Sequence, residues 1–233
     1  LQSIISEVKE EKINGINVTV PLKINGINVT VPFKKAVIPY LDELSPEAEQ
    51  TQSVNTIILS KDNLVGHNTD ILGFTKAIKD LNFNIEDKKV LILGAGGVVP
   101  SIIFALGKMN VKEIIISNRT RQKADDLKYQ FKNLKVTNWG TLTNFDMIIN
   151  ATSLGLNDEE INLDFSNIGE KKLFYDVIYN PSPTNFLKIG KKLGNRTENG
   201  KLMFVYQALE SFKLWHGVEP KINNKTLKIL DND

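Results

Sequence analysis

The 233 residues give room for two modest domains or one large one, and 41% hydrophobic with 24% charged residues are the proportions of a globular protein. A net charge of +2, carried by scattered lysines with no long basic run, argues against a nucleic-acid partner. The absence of cysteine excludes a disulfide framework and a thiolate metal site, and it is compatible with a reducing cytoplasm.

His67 and His216 are not spaced as a metal-ligand pair, so no metal site is expected. No apolar run reaches transmembrane length and no signal peptide is legible, so no membrane partner is expected either. The chain opens at Leu1 rather than a methionine, with apolar residues at Leu1, Ile4, Ile5 and Val8 in a helical stripe. The expectation is that it begins inside an element, with something upstream lost. Residues 13–23 (INGINVTVPLK) recur as residues 24–34 (INGINVTVPFK), with ten of eleven positions matching. Two copies of eleven residues are too short and too few for a solenoid, so the repeat reads as a recent duplication or a sequence-assembly fault. Each copy reads as an Asn-Gly turn, a short strand, then proline and lysine.

Residues 35–44 read as a short helix with Val37, Ile38 and Leu41 inward. Residues 48–59 lead through Val54-Asn55-Thr56 into a strand at 57–59, and Lys61-Asp62-Asn63 makes a hairpin turn. Phe74, Ile78 and Leu81 stripe a helix that should connect two domains.

Residues 88–120 carry the strongest local signal. Residues 90–93 are fully apolar without alternation, as in a strand buried on both faces of a parallel sheet. Gly94-Ala95-Gly96-Gly97 follows, and Pro100-Ser101 opens an apolar helix, where the missing proline N–H costs nothing. Residues 113–116 read as a second buried strand. Such a glycine turn permits close backbone approach, and the helix N-terminus offers free N–H groups to a pyrophosphate. Val99 occupies the third position of G-x-G-x-x-G/A and is bulkier than usual there. After the second strand comes Ser117-Asn118-Arg119-Thr120, where an NAD site usually carries an acidic residue. The chain has three arginines against 26 lysines, and two of the three are Arg119 and Arg121, with Lys123 behind them. A planar, bidentate phosphate ligand at that point indicates NADP(H). The competing readings are a βα turn whose glycines serve sterics alone and a solvated basic turn. Residues 146–150 and 173–177 read as further buried strands, and residues 202–215 as a helix returning to the first domain.

The chain resembles the shikimate dehydrogenase family. The matching pieces are Gly26-x-Asn28-Val29-Thr30-Val31-Pro32-Phe33-Lys34, Val54-Asn55-Thr56, and Asn68-Thr69-Asp70-x-x-Gly73-Phe74. To these are added Gly94-Ala95-Gly96-Gly97, Asn118-Arg119-Thr120, and Asn150-Ala151-Thr152-Ser153-x-Gly155. Last come Asp176-Val177-x-Tyr179-Asn180-Pro181, and Gln207 ahead of Phe212-x-x-Trp215-x-Gly217. Singly these motifs are weak; in this order and spacing they are specific.

By that resemblance Lys34 is the acid–base lysine and Asp70 its partner, both bonding the substrate hydroxyl that is oxidised. Thr30, Asn55, Gln207 and Tyr179 are implied as further substrate ligands. Gly94, Ala95, Gly96 and Gly97 would hold the pyrophosphate, and Asn118, Arg119, Thr120 and Lys123 the 2′-phosphate end. Ala151, Thr152 and Ser153 would run along the nicotinamide side, with Gly200 and Met203 beside its ring. A surface salt bridge is the competing reading for Lys34 and Asp70, and plain core for Met203. Lys23 and Lys34 end the two repeats alike, but only Lys34 has the family's Pro-Phe-Lys and uninterrupted spacing to Asn55 and Asp70. The chain departs from the family at Ile71 and Leu154, and the expectation is that the family's N-terminal strand with its carboxylate-holding serines is missing.

The implied architecture is α/β. A Rossmann-type NADP domain, a doubly wound parallel sheet, spans residues 72–200. A smaller, incomplete α/β substrate domain is formed by residues 1–71 and the returning segment 201–233. The implied activity is reversible NADPH reduction of 3-dehydroshikimate to shikimate in aromatic amino-acid (chorismate) biosynthesis, by a cytoplasmic monomer or homodimer. The alternatives are a related dehydrogenase on the same fold, acting on quinate or methylenetetrahydrofolate, and a non-catalytic NADP-binding fragment.

Overall fold

A computed structural model describes residues 17–18, 26–157 and 159–223; the helical stripe at the N-terminus, most of the first repeat copy and Lys23 lie outside the described residues. Two sheets organise the chain. The smaller contains β1 (Asn17–Val18), β2 (Gly26–Asn28), β3 (Glu43–Leu44), β4 (Thr56–Ser60) and β5 (Asn63–His67), in the order β1-β2-β4-β5-β3. β4 and β5 form the hairpin around residues 61–62, and β2 runs antiparallel to β4. The backbone of Asn17–Val18, two residues of the first repeat copy, lies along the outer edge of β2 in the second.

Residues 35–44 are not an α-helix, contrary to expectation. Pro39 has no N–H to bond the Lys35 carbonyl, and the chain makes only a 3₁₀ turn at Ile38–Tyr40 before extending into β3 beside β5. Val37, Ile38 and Leu41 nevertheless face the small core of Ile27, Ala48, Val54 and Ile57. A helix that the apolar pattern does not announce, α1 (Pro46–Thr51), follows. Ser45 caps it by accepting from the Ala48 N–H at 3.2 Å, Pro46 opens it, and Glu47 and Glu49 suit its positive end.

α2 (Asp70–Asp80) leaves the small sheet and enters the larger one. The larger comprises β6 (Lys89–Leu93), β7 (Glu113–Ser117), β8 (Leu134–Thr137), β9 (Met147–Asn150), β10 (Leu173–Asp176) and β11 (Arg196–Glu198). All pairings are parallel, in the order β11-β10-β9-β6-β7-β8. Read by chain position this is 3-2-1-4-5-6, the doubly wound order, with its switch point between β6 and β9. The interleaved helices are α3 (Val99–Lys108), α4 (Arg121–Gln130) and α5 (Asn185–Lys192). Successive β6 residues go to opposite cores. Val90 and Ile92 pack on one face with α2 and α3, while Leu91 and Leu93 pack on the other with Phe174 and Phe186. That is why the strand lacks alternation.

α6 (Lys201–His216) starts beside the large sheet and ends on the small one, where the Trp215 indole N–H donates to the Ile57 carbonyl at 3.1 Å. It packs against α2, and Phe74 of α2 meets Tyr175 of β10 edge to face at 5.5 Å. Two helices thus set how the sheets face each other. Among the described residues no helix is long and apolar enough to cross a membrane.

Candidate active site

A cavity of about 800 Å³ lies between the two sheets. Its lining includes Thr30, Lys34, Asn55 and Asp70 from the smaller half, Tyr179 from the larger, and Gly200, Met203 and Gln207 from the start of α6. Residues as far apart in the chain as Thr30 and Gln207 therefore converge on one space.

The Lys34 ammonium donates to the Asp70 Oδ2 at 2.5 Å, and both side chains are largely buried, 12% and 8% exposed. Asp70 sits in the first turn of α2, where the helix dipole favours a carboxylate. Its other oxygen, Oδ1, accepts from the Asn55 amide at 3.0 Å. Asn55 is held in turn: its Oδ1 accepts from the Thr69 N–H at 2.8 Å, and its amide also reaches Thr69 Oγ1 at 2.9 Å and Gln207 Oε1 at 3.4 Å. Behind them Thr56, Thr69 and Ser211 hydroxyls share bonds at 2.7 and 3.1 Å, and the Asn28 amide donates to the Asn55 carbonyl at 3.2 Å. This buried polar network fixes Asp70 and Asn55 before any ligand arrives. Lys34 thus presents a charged donor to the cavity on a preset anchor.

Tyr179 stands at the rim, 36% exposed, with its ring stacked on Phe204 at 4.5 Å. Met203 lines the cavity and is also packed in the main core.

The glycine run lies at the C-terminal end of β6, at the switch point. Gly94 has φ +106°, and a Cβ there would stand 2.7 Å from the Ala151 carbonyl oxygen, so only glycine fits. Within the described residues the N–H groups of Ala95, Gly96 and Gly97 find no acceptor, and α3 has no side-chain cap. A pyrophosphate would satisfy such groups, so these residues fit a dinucleotide. Val99 is fully buried in the core as the first residue of α3, which is how a bulky residue is accepted there. The Ser53 hydroxyl donates to the Gly97 carbonyl at 3.4 Å and ties the turn to the other half.

Asn118, Arg119 and Thr120 follow β7. The Asn118 amide donates to the Thr120 carbonyl at 2.8 Å, shaping the turn. Arg119 borders a separate hollow of about 320 Å³ with Trp139, Glu159, Glu160 and Asn162, and makes no ion pair among the described residues. Arg121 is engaged elsewhere, with Asp125 at 3.2 Å and Asn138 Oδ1 at 2.9 Å. Lys123 is exposed on the first turn of α4. Ala151, Thr152 and Ser153 follow β9, with Thr152 bonded to Asn150 through both its N–H, at 3.0 Å, and its hydroxyl, at 2.7 Å. Asn28, Thr56 and Ser211 have no place in the site read from sequence. Asn28 stood inside a quoted motif, but nothing local marks Ser211.

A doubly wound sheet with a glycine turn, facing a smaller sheet across a cleft that buries a lysine–carboxylate pair, defines a dinucleotide-dependent dehydrogenase. Residues 22–57 match the family model of the shikimate dehydrogenase substrate binding domain, and residues 75–161 that of shikimate / quinate 5-dehydrogenase. The shikimate dehydrogenase (NADP(+)) of Pelagibacter ubique is 53% identical over 232 residues, covering 99% of this chain and 83% of that protein. That of Caldicellulosiruptor saccharolyticus is 40% identical, covering 99% and 82%. Among solved structures, the Thermus thermophilus shikimate 5-dehydrogenase in complex with NADP(H) and shikimate superposes with TM-score 0.82. It is 30% identical, covering 100% of this chain and 84% of that one. The Aquifex aeolicus shikimate dehydrogenase gives 0.82 at 33% identity, covering 100% and 82%. The chain belongs to the shikimate dehydrogenase family.

Proposed function

We propose that the chain catalyses the reversible, NADP(H)-dependent reduction of 3-dehydroshikimate to shikimate. The observation that carries this reading is the buried Lys34–Asp70 pair at 2.5 Å, set in a cavity that also gathers Asn55, Thr30, Gln207 and Tyr179. Oxidising an alcohol removes a hydride from carbon and a proton from oxygen. When bound, the dinucleotide supplies the hydride chemistry. Lys34 and Asp70 bond the substrate hydroxyl and move its proton; Asn55 keeps Asp70 oriented. Thr30, Asn55, Gln207 and Tyr179 supply the hydrogen bonds that hold a polyhydroxylated ring. The glycine turn, residues 94–97, holds the pyrophosphate, and Asn118, Arg119, Thr120 and Lys123 hold the 2′-phosphate. Ala151, Thr152, Ser153, Gly200 and Met203 border the nicotinamide.

In the same reading residues 1–71 and 201–233 form the substrate domain and residues 72–200 the nucleotide domain. The setting is cytoplasmic and the protein a monomer or homodimer. The test is direct: purified protein with shikimate and NADP⁺, read by NADPH absorbance, with quinate and NAD⁺ as comparison substrates and NADPH binding measured alongside. NADPH formation from shikimate is expected. Turnover with quinate alone, or NADPH binding without turnover on either acid, would overturn the assignment.

A further inference from the structure

Asp176, the last residue of β10, is fully buried, yet no step of the proposed reaction uses it. Three donors converge on its carboxylate. Oδ1 accepts from the Asn150 amide and from the Ile178 N–H, both at 3.0 Å; Oδ2 accepts from the Thr184 hydroxyl at 2.6 Å. All three are neutral. Burial pushes the carboxyl up to about 6, against the pull of these bonds.

The donors come from two segments, the end of β9 and the stretch after β10. Asn150 is the register partner of Asp176 on β9, and its side chain organises the loop that follows. Its Oδ1 holds the Thr152 N–H and hydroxyl, its amide also reaches the Leu154 carbonyl at 3.1 Å, and Thr152 Oγ1 accepts from the Leu154 N–H at 3.1 Å. Ile178 and Thr184 belong to the loop after β10, which brings Val177 and Tyr179 to the cavity. Both loops lie at strand C-termini beside the switch point.

Resting on the functional reading above, we propose that Asp176 is a positioning residue: it locks the loop after β9 to the loop after β10, so that the nicotinamide half of the dinucleotide meets a preformed edge. It touches neither substrate nor cofactor. An asparagine can replace it with the lock intact, because one amide oxygen accepts from Asn150 and Ile178 while the Thr184 hydroxyl turns to accept. Alanine cannot.

The test uses two ligands on the full chain: NADPH, and adenosine 2′,5′-bisphosphate, which engages only the Arg119 end. Asp176→Ala should raise the Kd for NADPH about tenfold or more and leave that of the bisphosphate within about twofold, while Asp176→Asn stays within about threefold for both. An unchanged NADPH Kd in Asp176→Ala, with only a lower Tm, would make the residue merely structural. If Asp176→Ala loses both ligands through misfolding, Thr184→Val decides: selective loss of NADPH upholds the lock, and no change overturns it. A wild-type chain that binds the bisphosphate but shows no gain from the nicotinamide half would also overturn it. Failure of the wild type to bind either ligand would instead bring down the functional reading, and this inference with it.

Discussion

Gly73 and Met203 meet where α2 crosses α6: a Cβ on Gly73 would stand 2.7 Å from the Met203 carbonyl oxygen and 3.0 Å from the Gln207 Cβ. No side chain fits there without separating the helices. Asp70 lies one turn before Gly73, and Gln207 one turn after Met203, so the close crossing sets the width of the cavity.

Gly73→Ala should therefore act on both stability and substrate binding. The overpacking should cost about 1–3 kcal/mol, seen as a lower Tm. The KM for shikimate should rise, because α6 carries Gln207 away from Asp70 and Asn55. An unchanged Tm and KM would mean the helices absorb the methyl group elsewhere.

Asp70→Asn and Lys34→Ala should lower turnover about 10²–10⁴-fold, the usual worth of a positioned proton-transfer group, with NADPH binding nearly unchanged. Lys23→Ala should keep turnover, because Lys34 already fills the place beside Asp70. Steady-state kinetics on the three variants checks this; loss of activity in Lys23→Ala with retention in Lys34→Ala would reverse the assignment.

Arg119→Ala should weaken NADPH about tenfold to a hundredfold, as expected for losing a charge-assisted bond of roughly 1.5–3 kcal/mol, and leave NADH unaffected. Arg121→Ala makes the contrast. Its guanidinium is engaged by Asp125 and Asn138, so NADPH should bind nearly as well. Equal losses for NADPH and NADH in Arg119→Ala, by calorimetric titration, would remove the 2′-phosphate from its account.

The central fold was legible because burial on both faces leaves a continuous apolar run, as in β6 and β7, and because glycines between strand and helix have one common geometry. What escaped had weaker signals. α4 buries only Ala124 and Leu127, too thin a stripe to detect, and β11 is a three-residue edge strand of polar side chains. α1 is announced by its cap rather than by periodicity. At residues 35–44 the apolar spacing suggested a helix, and one proline outweighed it. Asn17–Val18, within the first repeat copy, finds backbone partners on the open edge of β2, a pairing that nothing local announces. In the cavity, Lys34 and Asp70 come from readable motifs, whereas Ser211 reaches Thr56 and Thr69 only through the tertiary path of α6.

Asp176 also makes the stability of the fold depend on pH. Burial is the main cause of its rise from an ordinary 3.8 to about 6; the bonds from Thr184, Ile178 and Asn150 oppose it. The folded state therefore holds this proton more tightly than the unfolded state does. Between about pH 4 and pH 6 the folded chain keeps a proton that the unfolded chain has released, so this group's contribution falls as pH rises through that window. Below the unfolded value the contribution is fully present; above about 6 it is lost. That rise corresponds to roughly 3 kcal/mol at most. Asp176→Asn removes the titration and keeps an acceptor for Asn150 and Ile178. It should thus be more stable than wild type at about pH 7–8 by about 1–3 kcal/mol, with the advantage shrinking toward zero near about pH 4. Denaturant melts of both proteins across that range isolate the group, because every other titration cancels in the difference. A constant difference across pH, or one that grows on acidification, would show that Asp176 is ionised at no cost in the folded protein.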